Sequence, residues 1–223
     1  LRLAKDGMLR NMLSSGLSMG FMSSLINIGS LTLQTAINKL GTDYIVAQTA
    51  ARKLTEMFMI MFTVFGNTMA TYCGQNLGAG KIDRIKKGIH TSAFLAFLTS
   101  AFISIMMFLF GKILLSMFIS GDPAQAEQVL DIAWHYLSIM ASCLCILYFL
   151  YVYRSALQGL GNTMIPMLSG IVEFFVRVGV ALLLPKLVGQ NGIFYAEIAA
   201  WTGATVLLVS SYYISIRKFK SAN

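Results

Sequence analysis

The sequence predicts an all-α, polytopic membrane protein, a single bundle of six transmembrane helices over residues 1–223. Three observations carry that prediction. Apolar residues make up 57% of the chain and charged residues 12%, about half the charged share of a soluble domain. Mean hydropathy is +0.71 with only 3 prolines, which excludes a disordered or collagen-like chain and an ordinary water-soluble enzyme domain. Six apolar runs, at 12–37, 45–72, 89–118, 129–153, 164–184 and 193–216, reach the roughly 20 residues that the hydrocarbon layer requires.

The first run carries Ser23, Asn27, Ser30, Gln34 and Asn38 at steps of four, three, four and four, one helical face. Unpaired amides in lipid cost several kcal/mol each, so this face turns toward other helices or lines a wet cavity. After the turn at 39–43, the second run repeats the pattern with Gln48, Arg52, Glu56, Thr63 and Asn67. Glu56 lies about 16 Å into that helix at 1.5 Å per residue, near the midplane. Arg52 sits one turn from it, so the two form either a structural ion pair or a contact for a solute or ion. The segment 74–87, rich in glycine and charge, separates the second run from the third, and Ser120-Gly-Asp-Pro-Ala124 introduces the fourth. Gln158-Gly-Leu-Gly-Asn-Thr163 introduces the fifth run, which holds Glu173 and Arg177 four apart near its middle. Two readings stand for this pair: a static lock between helices, or a titrating Glu173 in a proton or cation pathway. The last run follows 186–192 and begins with Glu197 and Trp201, where snorkelling and aromatic anchoring at the outer interface account for them. His90 and His135 lie near span ends, and no residue is singled out as a metal ligand.

Basic residues set the orientation, because cytoplasmic loops retain lysine and arginine. In the six-span arrangement Arg2, Lys5, Arg10, Lys81, Arg84, Lys86, Lys87, Arg154, Arg217, Lys218 and Lys220 share one side. The other side keeps Lys39, Lys112 and Lys186 beside Asp43, Asp122, Glu127 and Asp131, while Arg52, Lys53 and Arg177 fall within spans. Both termini are expected in the cytoplasm. The net charge of +8 follows from this asymmetry and from anionic membrane lipid, with no need of nucleic acid as a partner. Cys73, Cys143 and Cys145 are expected as free thiols. A start at Leu1 without a cleavable leader suggests a segment of a longer protein.

Catalytic motifs fail on inspection. Gly16-Leu-Ser-Met-Gly20 matches the G-x-S-x-G string, yet Ser18 lies within a span with no base in reach, and its glycines are better read as close-packing positions. In Gly74-Gln-Asn-Leu-Gly-Ala-Gly-Lys81 a phosphate loop would need glycine at Gln75 and Ser or Thr at Ile82. Neither an enzyme nor an organic cofactor is expected.

That last loop and its flanks carry a resemblance. Ala47-Gln-Thr-Ala-Ala51, Ala70 to Arg84, and Leu157-Gln-Gly-Leu-Gly-Asn-Thr163 with Pro166, Glu173 and Arg177 resemble the second six-helix half of the multidrug and toxic compound extrusion (MATE) family. Asn191-Gly-Ile-Phe-Tyr-Ala196 is similar to the entry of that half's final helix. The resemblance covers nearly the whole chain. It implies one lobe of a twelve-helix antiporter in the cell membrane, exporting small organic, often cationic, solutes in exchange for Na+ or H+. Its partners would be membrane lipid and the N-terminal lobe of the same transporter, the two lobes rocking around a central cavity. Some branches of the family carry an acidic residue on the first helix of this lobe, where this chain has only Ser, Asn and Gln. Expected contacts for solute or ion are Asn27, Gln34, Asn38, Gln48, Arg52, Glu56, Asn67, Glu173 and Arg177. A lipid-linked saccharide flippase of the same superfamily and a passive channel built from six-helix protomers are the alternatives.

Overall fold

The computed structural model describes residues 7–221, with side chains for residues 7–217. Arg2 and Lys5, and the side chains of Lys218 and Lys220, lie outside the described residues. The described backbone is helical throughout, in the order α1 (Met8–Asn38), α2 (Thr42–Gly78), α3 (Ile82–Ser116), α4 (Pro123–Ser142), α5 (Leu144–Gly159), α6 (Met164–Val188), a short 3₁₀ turn (Gln190–Phe194) and α7 (Tyr195–Ser221). Four segments are long and apolar enough to cross a membrane: α1, α3, α6 and the segment 190–217. The bent α4–α5 pair makes a fifth. Helix α2, at 37 residues, exceeds the length of a span, but its polar face lowers its apolarity below that of the others. Exposed Phe94, Phe102, Leu109 and Ile113 on α3 and Phe175, Leu183 and Leu187 on α6 would be a liability in water and suit lipid.

The expected fourth span is two helices, bent by 48° between Ser142 and Leu144. Ser142 spends its hydroxyl on the Ser138 carbonyl at 2.8 Å, a back-bond that bends helices. The carbonyls beside the break find partners on other helices. Ser104 of α3 donates to Ala141 O at 2.7 Å, and Thr205 of α7 donates to Ile146 O at 3.3 Å. A broken span persists in hydrocarbon only when its freed backbone groups are satisfied in this way.

The expected loop 74–87 shrinks to three residues, Ala79 to Lys81, because α2 continues to Gly78 and α3 starts at Ile82. Gly80 adopts φ +68°. Lys81 N donates to Asn76 O at 2.8 Å and Gly80 N to Leu77 O at 3.0 Å, the paired bonds of a Schellman stop. The end of α5 repeats it: Gly161 has φ +78°, Asn162 N donates to Leu157 O at 3.0 Å and Gly161 N to Gln158 O at 2.9 Å. Two similar glycine strings thus encode the same helix terminator.

Helices α2, α3, α4 and α5 pack as one group and α1, α6 and α7 as another, joined where α5 meets α7. Although consecutive in sequence, α1 and α2 touch little, which leaves a cleft between the groups. Backbones approach closely at glycines. A Cβ on Gly159 would collide with Ala70 O, and one on Gly170 would sit 2.6 Å from Met22 Cγ. Gly16 and Gly20, expected as packing positions, have nothing within 4 Å of where a Cβ would stand. They lie on the exposed face of α1, where no neighbouring helix stands against them.

Candidate functional site

A cavity of about 170 Å³ opens where α1, α2, α4, α6 and α7 converge. Its walls carry Asn27 and Ser30 from α1, Arg52, Thr55 and Glu56 from α2, Tyr136 from α4, Glu173 and Arg177 from α6, and Glu197 and Trp201 from α7. Five of the nine expected contact residues therefore meet: Asn27, Arg52, Glu56, Glu173 and Arg177.

The other four do not join them. Gln34 and Asn38 bond each other at 3.0 Å, two to three turns along α1 from Asn27. Asn67 shares the azimuth of Glu56, but eleven residues place it about 16 Å farther along α2, where it is exposed. Gln48 is 1% exposed, and neither end of its amide has a hydrogen-bond partner. It is turned into helix packing one turn from Arg52. A step-of-four pattern fixes direction around a helix and leaves position along it open, so only the middle of each polar stripe reaches the cavity.

Three acids face this space, each differently held. Glu173 is 3% exposed and lies between two guanidiniums: Oε1 accepts from Arg154 Nη2, and Oε2 accepts from Arg177 Nη2 at 3.5 Å. Arg154 Nη2 also donates to Ser169 Oγ at 3.1 Å, and Ser169 Oγ in turn donates to Pro166 O at 2.7 Å. Arg177 Nη1 donates to Ile26 O on α1 at 3.4 Å. That approach needs Gly29, where a Cβ would stand 3.2 Å from the same nitrogen. Glu56 accepts from Arg52 Nε at 3.1 Å, with side chains 55% and 38% exposed, so this pair sits on the open cleft. Glu197 accepts from the Tyr136 hydroxyl at 3.3 Å and among the described residues has no salt bridge.

Three expectations are corrected here. Arg154, counted with the cytoplasmic loop residues, is 6% exposed and is a partner of Glu173, because α5 continues past it to Gly159. Glu197 and Trp201, read as a snorkelling side chain and an aromatic anchor, are 8% and 4% exposed and line the cavity instead, because Glu197 is turned toward the Tyr136 hydroxyl of α4. The sequence held one usable signal for Arg154: the run from Leu144 to Leu157 has no polar face, and such a helix is buried all round. An arginine within it needs a buried acceptor.

The Ser18 hydroxyl donates to Ser14 O at 2.8 Å, an ordinary back-bond within α1. No group of three His, Cys, Asp or Glu side chains that could cage a metal occurs among the described residues. A larger opening, about 480 Å³, lies between α2 and α3, but its wall is mostly apolar and far from the buried charges.

A family model described as MatE matches residues 18–183. The fold is similar to that of "Crystal structure of MATE in complex with MaL6", with a TM-score of 0.89 and 14% identity over 98% of this chain and 49% of that one. It is also similar to a MOP superfamily transporter from Pyrococcus furiosus, reported under the heading that reverse polarity of its binding pocket suggests a different function. That match has a TM-score of 0.88 and 15% identity over 98% of this chain and 49% of that one. An outward-facing multidrug resistance MATE family transporter of the MOP superfamily aligns with a TM-score of 0.82 and 15% identity over 92% and 45%. The chain thus spans about half the length of the solved structures it matches. No curated protein sequence gives a significant match.

Proposed function

This chain belongs to the MatE family, and from that premise we propose that it is one lobe of a secondary antiporter. Its substrates are small organic solutes, often cationic, exported in exchange for Na+ or H+. The observation that carries the proposal is the polar cavity itself. Charged residues from α2, α6 and α7 converge in a lobe whose outside is apolar, and intramembrane charges that face a shared cavity mark solute or ion pathways. The similarity to about half of each solved transporter supports a second lobe opposite the α1–α2 cleft, with the two rocking about the site between them. The end of the bundle bearing Lys81, Arg84, Lys86 and Lys87 faces the cytoplasm in this reading.

A saccharide-phosphate flippase would favour a cationic cavity. Here Arg52 is engaged by Glu56 and Arg177 by Glu173, and exposed Lys53 is not on the cavity wall, which favours the antiporter. The test is efflux of a fluorescent organic cation from proteoliposomes of the full-length protein, with sodium and proton gradients imposed separately. Concentrative movement under either gradient supports antiport. Flux that only equilibrates the solute supports a channel.

A further inference from the structure

The opening between α2 and α3 lies on a different side of α2 from the cleft. Thr68 follows Asn67, so it is turned by about 100° from the azimuth that Asn67 shares with Glu56. There the two helices leave a groove of about 480 Å³ whose wall changes character along its length. Nearest the α2–α3 connection stands Lys87. One turn farther along α3 comes the hydroxyl of Thr91, with that of Thr68 on α2, and beyond them Leu95, Val64 and Phe65 are apolar. We propose that this groove binds one anionic phospholipid, its phosphate at Lys87 and an acyl chain along Leu95, Val64 and Phe65. The proposal needs only a bundle in a membrane and stands apart from the antiporter reading.

The spacing along α3 matches the layering of a lipid. Lys87 and Thr91 are about 6 Å apart along the axis, and Lys87 and Leu95 about 12 Å, while the headgroup layer is about 5–8 Å deep on each side of the hydrocarbon. Lysine thus stands at the level of the phosphate, the threonines at the ester carbonyls, to which a hydroxyl can donate, and leucine at the start of the chains. Charge selects among lipids. Among the described residues Lys87 has no carboxylate in salt-bridge range, and Asp83, one turn away, is engaged by Lys86 at 3.4 Å. Arg84 and His90 of α3 are exposed nearby and bring no negative charge. Helix α2 carries no charged residue from Met57 to Gly78, so nothing across the groove neutralises the ammonium. A zwitterionic lipid brings its own cation to this position, whereas a lipid with a net negative headgroup brings only the counter-charge. A free phosphate would leave the apolar wall uncovered. The groove is also held in shape by the protein itself. The Tyr72 ring lies against Gly88, where a Cβ would collide with it, and the Tyr72 hydroxyl donates to Arg84 O at 3.0 Å. This clasp fixes the separation of α2 and α3 beside Lys87.

The test is native mass spectrometry of the full-length protein released from a neutral detergent, with phosphatidylglycerol and phosphatidylcholine of identical chains titrated in. The wild type should retain phosphatidylglycerol ahead of phosphatidylcholine. Lys87→Gln should weaken that retention about five-fold, the contribution of one lysine at an anionic lipid surface. Lys81→Gln, at the same end of the bundle but off the groove wall, should change it much less. Leu95→Trp fills the groove while keeping Lys87 and should hold one phosphatidylglycerol fewer. Inorganic phosphate in excess should displace none. Equal retention of the two lipids by the wild type, equal losses in Lys87→Gln and Lys81→Gln, an unchanged count in Leu95→Trp, or displacement by inorganic phosphate would each overturn the proposal. A second lobe lying over the groove would give the unchanged count.

Discussion

Glu173 shows how the cost of a buried charge is met in this lobe. One carboxylate at 4% side-chain exposure serves two guanidiniums at 8% and 4%. Removing one member of such a group leaves its partners uncompensated, at a cost of about 3–5 kcal/mol. Glu173→Gln is therefore expected to lower folded yield and thermal midpoint in detergent. Because Arg154 is the second partner, combining Glu173→Gln with Arg177→Met should recover only part of the loss. Neutralising Arg154 as well should recover most of it. Full recovery in the double variant would place Arg154 outside the lock. By contrast the Arg52–Glu56 pair is partly exposed, and such pairs contribute about 0–1 kcal/mol, so Glu56→Gln should unfold at nearly the wild-type temperature. A fall as large as that of Glu173→Gln would refute this ranking. The i,i+4 spacing of both pairs is legible in the sequence. Which pair is locked and which is open depends on a third residue from another helix, and one-dimensional spacing does not encode it.

Helix packing follows the glycines that have a backbone or a short side chain opposite them. Gly159 faces the Ala70 carbonyl too closely to admit a Cβ, while Gly16 faces open space. Gly159→Ala forces α2 and α5 apart, at about 1–3 kcal/mol for such overpacking. Gly16→Ala should be neutral or stabilising by up to about 1 kcal/mol, since alanine is the better helix former. Thermal unfolding of the two variants in the same detergent checks this, and equal effects would contradict it. Apolar run lengths and turn residues mark the regions of α1, α2, α3 and α6; the first three helices begin three to seven residues before the runs at 12, 45 and 89, and α3 stops at Ser116, short of 118. The bend at Cys143 was not legible, because the run from Val129 to Tyr153 has no Pro or Gly to mark a break and the hydroxyls that stabilise it come from Ser104 and Thr205, distant in sequence. The same limit hid Glu197: counted from the start of an apolar run it reads as an interface residue, whereas the Tyr136, Arg52 and Glu173 that line the cavity with it come from other helices.

Across the molecule, charge and apolarity are segregated along the bundle as well as from inside to outside. The short connection after α2 ends on Lys81 and is followed by Arg84, Lys86 and Lys87, and the opposite end ties Gln125 to Asp43 and Lys112 to Asp131 at 3.0 Å each. A cysteine at Ile82, in a background free of native cysteines, should escape an impermeant thiol reagent added outside intact cells. Ready labelling would invert the orientation. The cavity lies in a lobe whose α1 and α2 barely touch, and the proposed second lobe would close its open side. The most direct measurement is reconstitution of this 223-residue chain beside the full-length protein at equal density, with gradient-driven uptake of a fluorescent organic cation followed in both. One lobe of an antiporter predicts concentrative transport by the full-length protein and none by the lobe. Robust gradient-driven transport by the lobe alone would contradict it.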